Sequence, residues 1–155
     1  MKRVIAFSLA ALMLLFCACG KTAEAKPLAD VFNDIKAQVA FENITELKEA
    51  RQLDRRYGIT EDMVAEFAGC NNATGGNQEE IVLIKAADET KAAAVKEKLD
   101  KRYESKLNQS RNYDAVQAAI VEKCSVTQDG LYVAMIVSDK ADKITEIYRK
   151  GAGLQ

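Results

Sequence analysis

The sequence predicts an α+β fold, in which a four-stranded, largely antiparallel sheet is covered by helices. Two hairpin signals support this: a β-branched run at residues 81–84 follows a loop rich in asparagine and glycine, and Asp129-Gly130 joins two more extended segments. An amphipathic segment with helical spacing follows each hairpin. Two ββα units, at residues 61–107 and 124–150, are therefore expected after two N-terminal helices.

The first N-terminal helix is predicted over about residues 28–40. Pro27 has a backbone angle suited to a first helical turn. The apolar residues that follow are spaced by three and four, namely Leu28, Val31, Phe32, Ile35 and Val39. A second helix is predicted over residues 43–57, because Asn43 and Glu46 resemble a capping box and a glycine follows its last residue.

The first hairpin is predicted to pair strands near residues 61–69 and 79–86. Residues 61–68 also fit a helical period, which leaves a helix as the alternative there. The segment between the strands, residues 70–78, is a loop by composition, and it is either a contact site or a mobile turn. Its candidate contact residues are Asn71, Asn72 and Asn77.

A long helix is predicted after Asp88, which can cap it. Its apolar face consists of Ala92, Val95, Leu99, Tyr103 and Leu107. Residues 110–112 interrupt this pattern, and a shorter helix is expected over about residues 113–123.

The second hairpin is predicted to join residues 124–127 to residues 131–137 through the Asp-Gly turn. A final helix over about residues 139–150 directs three apolar side chains inward, those of Ile144, Ile147 and Tyr148. These elements form one domain over residues 27–150, followed by a C-terminal tail at 151–155.

The N-terminus has the pattern of a bacterial lipoprotein signal. Two basic residues precede an apolar stretch at residues 4–16, which has the length of a signal-peptide core, roughly 7–15 residues. Spanning a bilayer takes about 20. The small Ala18 precedes Cys19, as lipoprotein signal peptidase requires, so residues 1–18 are expected to be removed. An ordinary secretory signal that is cut nearby is the alternative.

Cys19 is then expected to carry a diacylglyceryl group, with residues 19–26 as a short tether. Two acyl chains give stable anchoring, whereas one gives only marginal binding. This predicts an extracytoplasmic, lipid-anchored protein at the outer face of the cytoplasmic membrane or in a periplasmic leaflet. The formal net charge of −1 and the lack of a basic face argue against nucleic acid as a partner.

The absence of histidine restricts the chemistry of this chain. Serine–histidine and cysteine–histidine catalysis and histidine-bearing zinc sites are excluded. Neither a phosphate-binding loop before a helix nor a calcium-binding loop occurs, so no cofactor or metal is predicted. With no recognised catalytic motif, the chain is predicted not to be an enzyme.

Cys70 and Cys124 are the two cysteines beyond the signal region. Each falls at the end of a predicted hairpin strand, so one sheet could bring them together as a disulfide in an oxidising compartment. Two buried free thiols are the alternative. A Cys-x-x-Cys redox motif is absent, which argues against a thioredoxin-like role.

Several segments together resemble one known family. They are the helix leading to Tyr57-Gly58-Ile59, the strand at residues 80–85, the helix over 95–103 and the segment 130–139. This pattern is similar to the bacterial lipoprotein family called domain of unknown function 4358, over about residues 28–150. The resemblance implies no assigned activity and no catalytic residues.

The function expected from these observations is that of a non-catalytic, membrane-tethered module that binds an envelope protein or a wall component. A small-ligand-binding lipoprotein is the alternative. An enzyme that uses carboxylates or thiols is a third possibility.

Overall fold

The computed structural model describes residues 25–154. The predicted signal peptide, the predicted lipidation site Cys19 and most of the tether lie outside the described residues. Within the described part of the chain, no helix combines the length and the apolar character needed to cross a bilayer.

The fold combines five helices with a five-stranded sheet. The helices are α1 Leu28–Gln38, α2 Ala50–Tyr57, α3 Glu89–Tyr113, α4 Ala115–Val121 and α5 Ala141–Gly151. The strands are β1 Ile44–Glu46, β2 Val64–Asn72, β3 Glu80–Ala86, β4 Ser125–Asp129 and β5 Tyr132–Val137. They lie in the order β1-β2-β3-β5-β4, and all neighbours are antiparallel. The α+β class is confirmed, but the prediction of four strands is wrong.

The sheet is the middle of three layers. Alternate side chains of the central strand β3 enter separate cores: Ile81 and Leu83 pack with α1 and α5, whereas Val82 and Ile84 pack with α2 and α3. Both faces of β3 are covered, which explains its uninterrupted apolar sequence.

The predicted second helix is wrong in its first half. Asn43 has a φ of 51°, which a helix interior excludes, and Ile44–Glu46 forms the edge strand β1 against the end of β2. The capping box that starts α2 joins Glu49 and Gln52. Ile44 and Leu47 have the spacing of a helical apolar stripe. Ile44 is nevertheless part of a strand, because its backbone pairs with β2.

The first hairpin lies later in the chain than predicted. Residues Glu61–Met63 form a single 3-10 turn, so the alternative of a helix over residues 61–68 is wrong. β2 continues to Asn72, into the segment predicted as a loop. Polar side chains do not prevent this, because the main chain makes the bonds; the Asn72 N–H donates to the Glu79 carbonyl at 2.9 Å.

The predicted helix break at residues 110–112 is also wrong, because α3 continues to Tyr113. The buried Ser110 hydroxyl donates to the Lys106 carbonyl at 2.9 Å and stays within the helix. Asp114 separates α3 from α4 and caps the latter by accepting hydrogen bonds from the Val116 and Gln117 N–H groups. The second hairpin turns at Gly130, where φ is 57°.

Candidate functional site

The buried polar side chains Asn71, Glu80 and Ser138 lie at one end of the sheet. There β2 ends, β3 begins and β5 ends: Asn71 pairs with Glu80, and Glu80 pairs with Val137. The loop at residues 73–79 joins β2 to β3 at this end, and we call it the β2–β3 loop. The residues around it form two separate depressions, one on each side of residues 77–79.

Glu80 is the centre of a buried ionic cluster, with only 1% of its surface exposed. Arg102 donates from Nε to Oε1 at 3.1 Å and from Nη2 to Oε2 at 2.7 Å. The Tyr57 hydroxyl donates to Oε1 at 2.8 Å, and Lys106 Nζ lies 2.8 Å from Oε2. Both carboxylate oxygens therefore have charged partners, as a buried carboxylate requires.

The electrostatics of the cluster keep Glu80 ionised. Burial alone would raise the pKa of Glu80, but the Arg102 hydrogen bonds and the Lys106 charge outweigh it and hold that pKa below its usual value. Burial lowers the pKa of Lys106, since it outweighs the attraction of Glu80 and adds to the repulsion from Arg102. Burial also raises the pKa of the Tyr57 hydroxyl, which stays protonated and donates.

Lys106 extends the cluster to the β2–β3 loop. Its ammonium group donates to the Gln78 carbonyl at 3.0 Å and to the Gln78 side-chain oxygen at 3.2 Å. From the other side, the Gln117 side-chain oxygen accepts from the Gln78 N–H at 2.9 Å. Helices α3 and α4 therefore both hold the end of the loop that enters β3.

Asparagine side chains organise the loop itself. Asn72 Oδ1 accepts from the N–H and the hydroxyl of Thr74, each at 3.0 Å, and from the Gly76 N–H at 3.2 Å. Asn77 Oδ1 accepts from the Glu79 N–H at 2.9 Å. Asparagine favours such local bonds to the backbone in turns. The composition that predicts a loop therefore also fixes its shape.

A small cleft lies under this loop, between α2 and α3, and has a volume of about 160 Å³. We call it the α2–α3 cleft. The charged residues that line it are Arg56, Glu79, Glu80, Arg102 and Lys106. Asn71 forms part of its wall and is 7% exposed, and its Oδ1 atom is buried without a hydrogen-bond partner. Unpaired buried acceptors are rare in folded proteins.

The second depression, of about 320 Å³, lies on the other side of the loop and is more acidic. Glu79 accepts a hydrogen bond from the Ser138 hydroxyl at 2.8 Å. Burial raises the pKa of Glu79, and the nearby Asp139 and Glu42 carboxylates add to that effect. Among the described residues, no group of three or more acidic or thiol side chains is arranged to hold a metal ion.

The two described cysteines are free thiols on opposite faces of the sheet. Cys70 packs in the core beside α1 and α5, and Cys124 packs in the core beside α3. The sheet lies between them, so the disulfide alternative is not formed. Burial raises the pKa of Cys70 to about 12 and also raises that of Cys124. Neither has the thiolate character that nucleophilic chemistry at neutral pH needs.

The structure separates the three asparagines predicted as contact residues. Asn71 is buried at the end of β2, Asn72 is the last residue of that strand, and Asn77 lies in the loop. Only Asn72 and Asn77 shape the loop, through the bonds described above.

The Glu80 cluster was not predicted from the sequence, although the spacing of residues in α3 contains a pattern that indicates it. The apolar stripe of Ala92, Val95 and Leu99 continues at spacings of three and four through Arg102, Lys106 and Ser110. Basic residues on a core-facing stripe require a buried anion. Glu80, directly before the apolar strand run, is that anion.

Comparison with known proteins gives one match. The family model described as domain of unknown function (DUF4358) matches residues 37–138. No curated protein and no solved structure matches the chain. The matched segment contains all five strands, helices α2 to α4, the Glu80 cluster and the β2–β3 loop. The chain therefore belongs to the DUF4358 family.

Proposed function

We propose that this chain is a non-catalytic binding module, anchored to a membrane through a diacylglyceryl group on Cys19, that binds an envelope protein or a wall component. Its contact surface is the β2–β3 loop together with the junction of α3 and α4. We call this surface the binding rim.

One observation carries the proposal: two large apolar side chains are exposed beside a firmly held polar loop. Tyr113 is 85% exposed and Val116 is 71% exposed, on either side of the α3–α4 junction. The bond from Gln78 to Gln117 joins this junction to the loop. Aromatic anchors surrounded by polar groups are typical of protein interfaces.

The positions of Lys26 and Leu28, where the described chain begins, support the same surface. The Leu28 N–H donates to Glu66 near the start of β2, at 3.0 Å, and the Lys26 N–H donates to the Gly151 carbonyl at 2.8 Å. The rim lies beyond the other end of β2, six residues further on, which is about 20 Å of extended chain. A membrane anchor before residue 26 therefore leaves the rim pointing outward.

The chemistry of the described residues favours binding over catalysis. Three side chains make four contacts with the Glu80 carboxylate, and its lowered pKa makes it a poor proton donor. Both described thiols are buried with raised pKa values. A rim built on this rigid base is suited to recognition, since the base reduces the entropy lost on binding.

In-cell crosslinking with mass spectrometry tests the proposal. We expect the tagged wild-type chain to capture a specific partner, and the double variant Tyr113→Ser, Val116→Ser to lose it. The matched control is Glu104→Ser with Asn108→Ser, which changes two exposed residues of α3 away from the rim. No specific partner for the wild type, or equal capture by the rim and control variants, would overturn the proposal.

A further inference from the structure

We infer that the α2–α3 cleft binds the free carboxylate at the C-terminus of a peptide chain. The inference rests on the proposed binding function and gives it a chemical class of ligand. Three features of the cleft carry it: donors with unused hydrogen-bonding capacity, a buried acceptor without a donor, and a volume that fits one terminal group.

The donors are two guanidinium groups. The Arg56 side chain lines the cleft and makes no hydrogen bond or ion pair within residues 25–154. Arg102 uses Nε and Nη2 for Glu80, which leaves Nη1 available. Arginine is suited to planar, bidentate recognition of a carboxylate. Because Glu80 already holds Arg102 in place, that side chain loses little freedom on binding.

The acceptor is Asn71 Oδ1. Asn71 Nδ2 donates to the Asn72 carbonyl at 2.8 Å, whereas Oδ1 receives no hydrogen bond. A buried acceptor left unpaired destabilises the folded state, because it has lost its bonds to water without replacement. The last peptide N–H of a chain is close to its terminal carboxylate, so one ligand can offer both groups. Since Oδ1 is closed off in this structure, the Asn71 amide turns toward the cleft as the ligand enters.

Charge and size select among anions. Three basic side chains and two glutamates line the cleft, which leaves one net positive charge and matches a monoanion. A phosphate dianion carries more charge than this and offers no N–H group for Asn71. Pockets for drug-sized molecules measure roughly 300–1,000 Å³, so a cleft of about 160 Å³ takes only the end of a larger partner.

Titration calorimetry of the full-length chain in detergent tests the inference. The probes are acetyl-Ala-Ala with a free carboxylate, in its L and D forms, and the corresponding C-terminal amides. We expect at least one acid to bind, and its amide to bind at least tenfold more weakly. Preference for the L acid indicates a protein C-terminus as the natural source, and preference for the D acid indicates a wall peptide.

Three variants locate the binding. Arg56→Gln should weaken binding of the peptide acid at least fivefold. Arg55→Gln should leave that affinity unchanged, because Arg55 is the adjacent exposed arginine and does not line the cleft. Asn71→Leu should also weaken binding of the peptide acid at least fivefold. That variant loses the Nδ2 bond to the Asn72 carbonyl but also removes the unpaired buried acceptor, and these two effects oppose each other, so its thermal stability should change little.

Three results would overturn the inference: no binding by either acid, equal affinity for acid and amide, or inorganic phosphate binding more tightly than the acids. Equal effects of Arg55→Gln and Arg56→Gln would do the same. Such a failure is distinguishable from failure of the proposed function, because rim-dependent crosslinks to a partner can persist when the acids do not bind.

Discussion

Glu80 organises the polar side chains at one end of the sheet. Its carboxylate holds Arg102 and Lys106, and Lys106 in turn holds the β2–β3 loop through Gln78. Burying a carboxylate is costly, and the cost is offset only when charged partners surround it. The cluster is therefore poor evidence for exceptional stability, but it fixes the positions of the groups that form the α2–α3 cleft.

Glu80→Gln should lower the free energy of unfolding at pH 7 by about 3 kcal/mol, because it leaves the buried Lys106 and the half-buried Arg102 without their counter-ion. Chemical denaturation monitored by circular dichroism measures this. Glu97→Gln is the matched control, since Glu97 pairs with Lys101 on the exposed face of α3 and should show no measurable change. Equal effects of the two substitutions would contradict the role assigned to Glu80.

The same variant should alter the acid sensitivity of the protein. The pKa of Glu80 is lowered from 4.5 on folding, so its contribution to stability is complete above that value and is lost as the pH falls through the folded pKa. The raised pKa of Glu79 acts in the opposite direction, but it is present in both proteins. Wild type should therefore lose more stability than Glu80→Gln between pH 5 and about pH 2, in denaturation curves across that range.

At the scale of elements, Gly69 permits a close approach of β2 to β3. Its φ is 149°, and a Cβ atom built there would lie 2.0 Å from the Ile81 carbonyl oxygen on β3. The neighbouring atom belongs to the main chain of a central strand and has no room to move. The pairing of β2 with β3 therefore depends on this glycine. So does the hydrogen bond that the Leu47 N–H, just after β1, donates to the Gly69 carbonyl.

Gly69→Ala should lower the free energy of unfolding by more than about 3 kcal/mol, through backbone strain and overpacking combined. Gly76→Ala is its control in the loop, where a new Cβ would lie 3.3 Å from the Thr74 hydroxyl oxygen, at the end of that side chain. That control should change stability by less than about 1 kcal/mol. Thermal unfolding of both variants measures the difference, and a Gly69→Ala protein as stable as wild type would contradict the close approach.

The elements that sequence patterns predicted well are those whose apolar residues follow one period. α1, β3 and α5 were predicted close to their observed positions, because each buries a continuous stripe or run. The errors occur where pairing or burial depends on a distant segment. Ile44–Glu46 is a strand because the end of β2 lies beside it, and α3 continues past Ser110 because its polar residues are buried against the loop.

At the scale of the whole molecule, the position of Lys26 decides which end of the sheet would face a membrane. Residues 26 and 151 meet beside α1 and α5, and the binding rim lies at the far end of the sheet. A lipid on Cys19 would hold the first of these regions near the membrane. The proposed contact surface is then at the end of the sheet opposite to Lys26, the first residue after the proposed anchor that makes a bond to the domain.

Cys19→Ala should move the full-length protein from the membrane fraction to the soluble fraction, because no acyl chains would then be attached. Membrane fractionation followed by immunoblotting measures the distribution. Cys17→Ala is the matched control, since it removes the neighbouring cysteine inside the predicted signal and should leave the protein membrane-bound. If Cys19→Ala remains in the membrane fraction, the lipid-anchor proposal is wrong.

By itself, the sequence determined the α+β class, most helices and both hairpins, because these follow from local periodicity and turn residues. Only the tertiary structure decided that Glu80, Arg102 and Lys106 meet, that Asn71 keeps an unpaired acceptor, and that Cys70 and Cys124 face different cores. These relations join residues far apart in the chain. They depend on strand register and helix placement, which local sequence patterns do not specify.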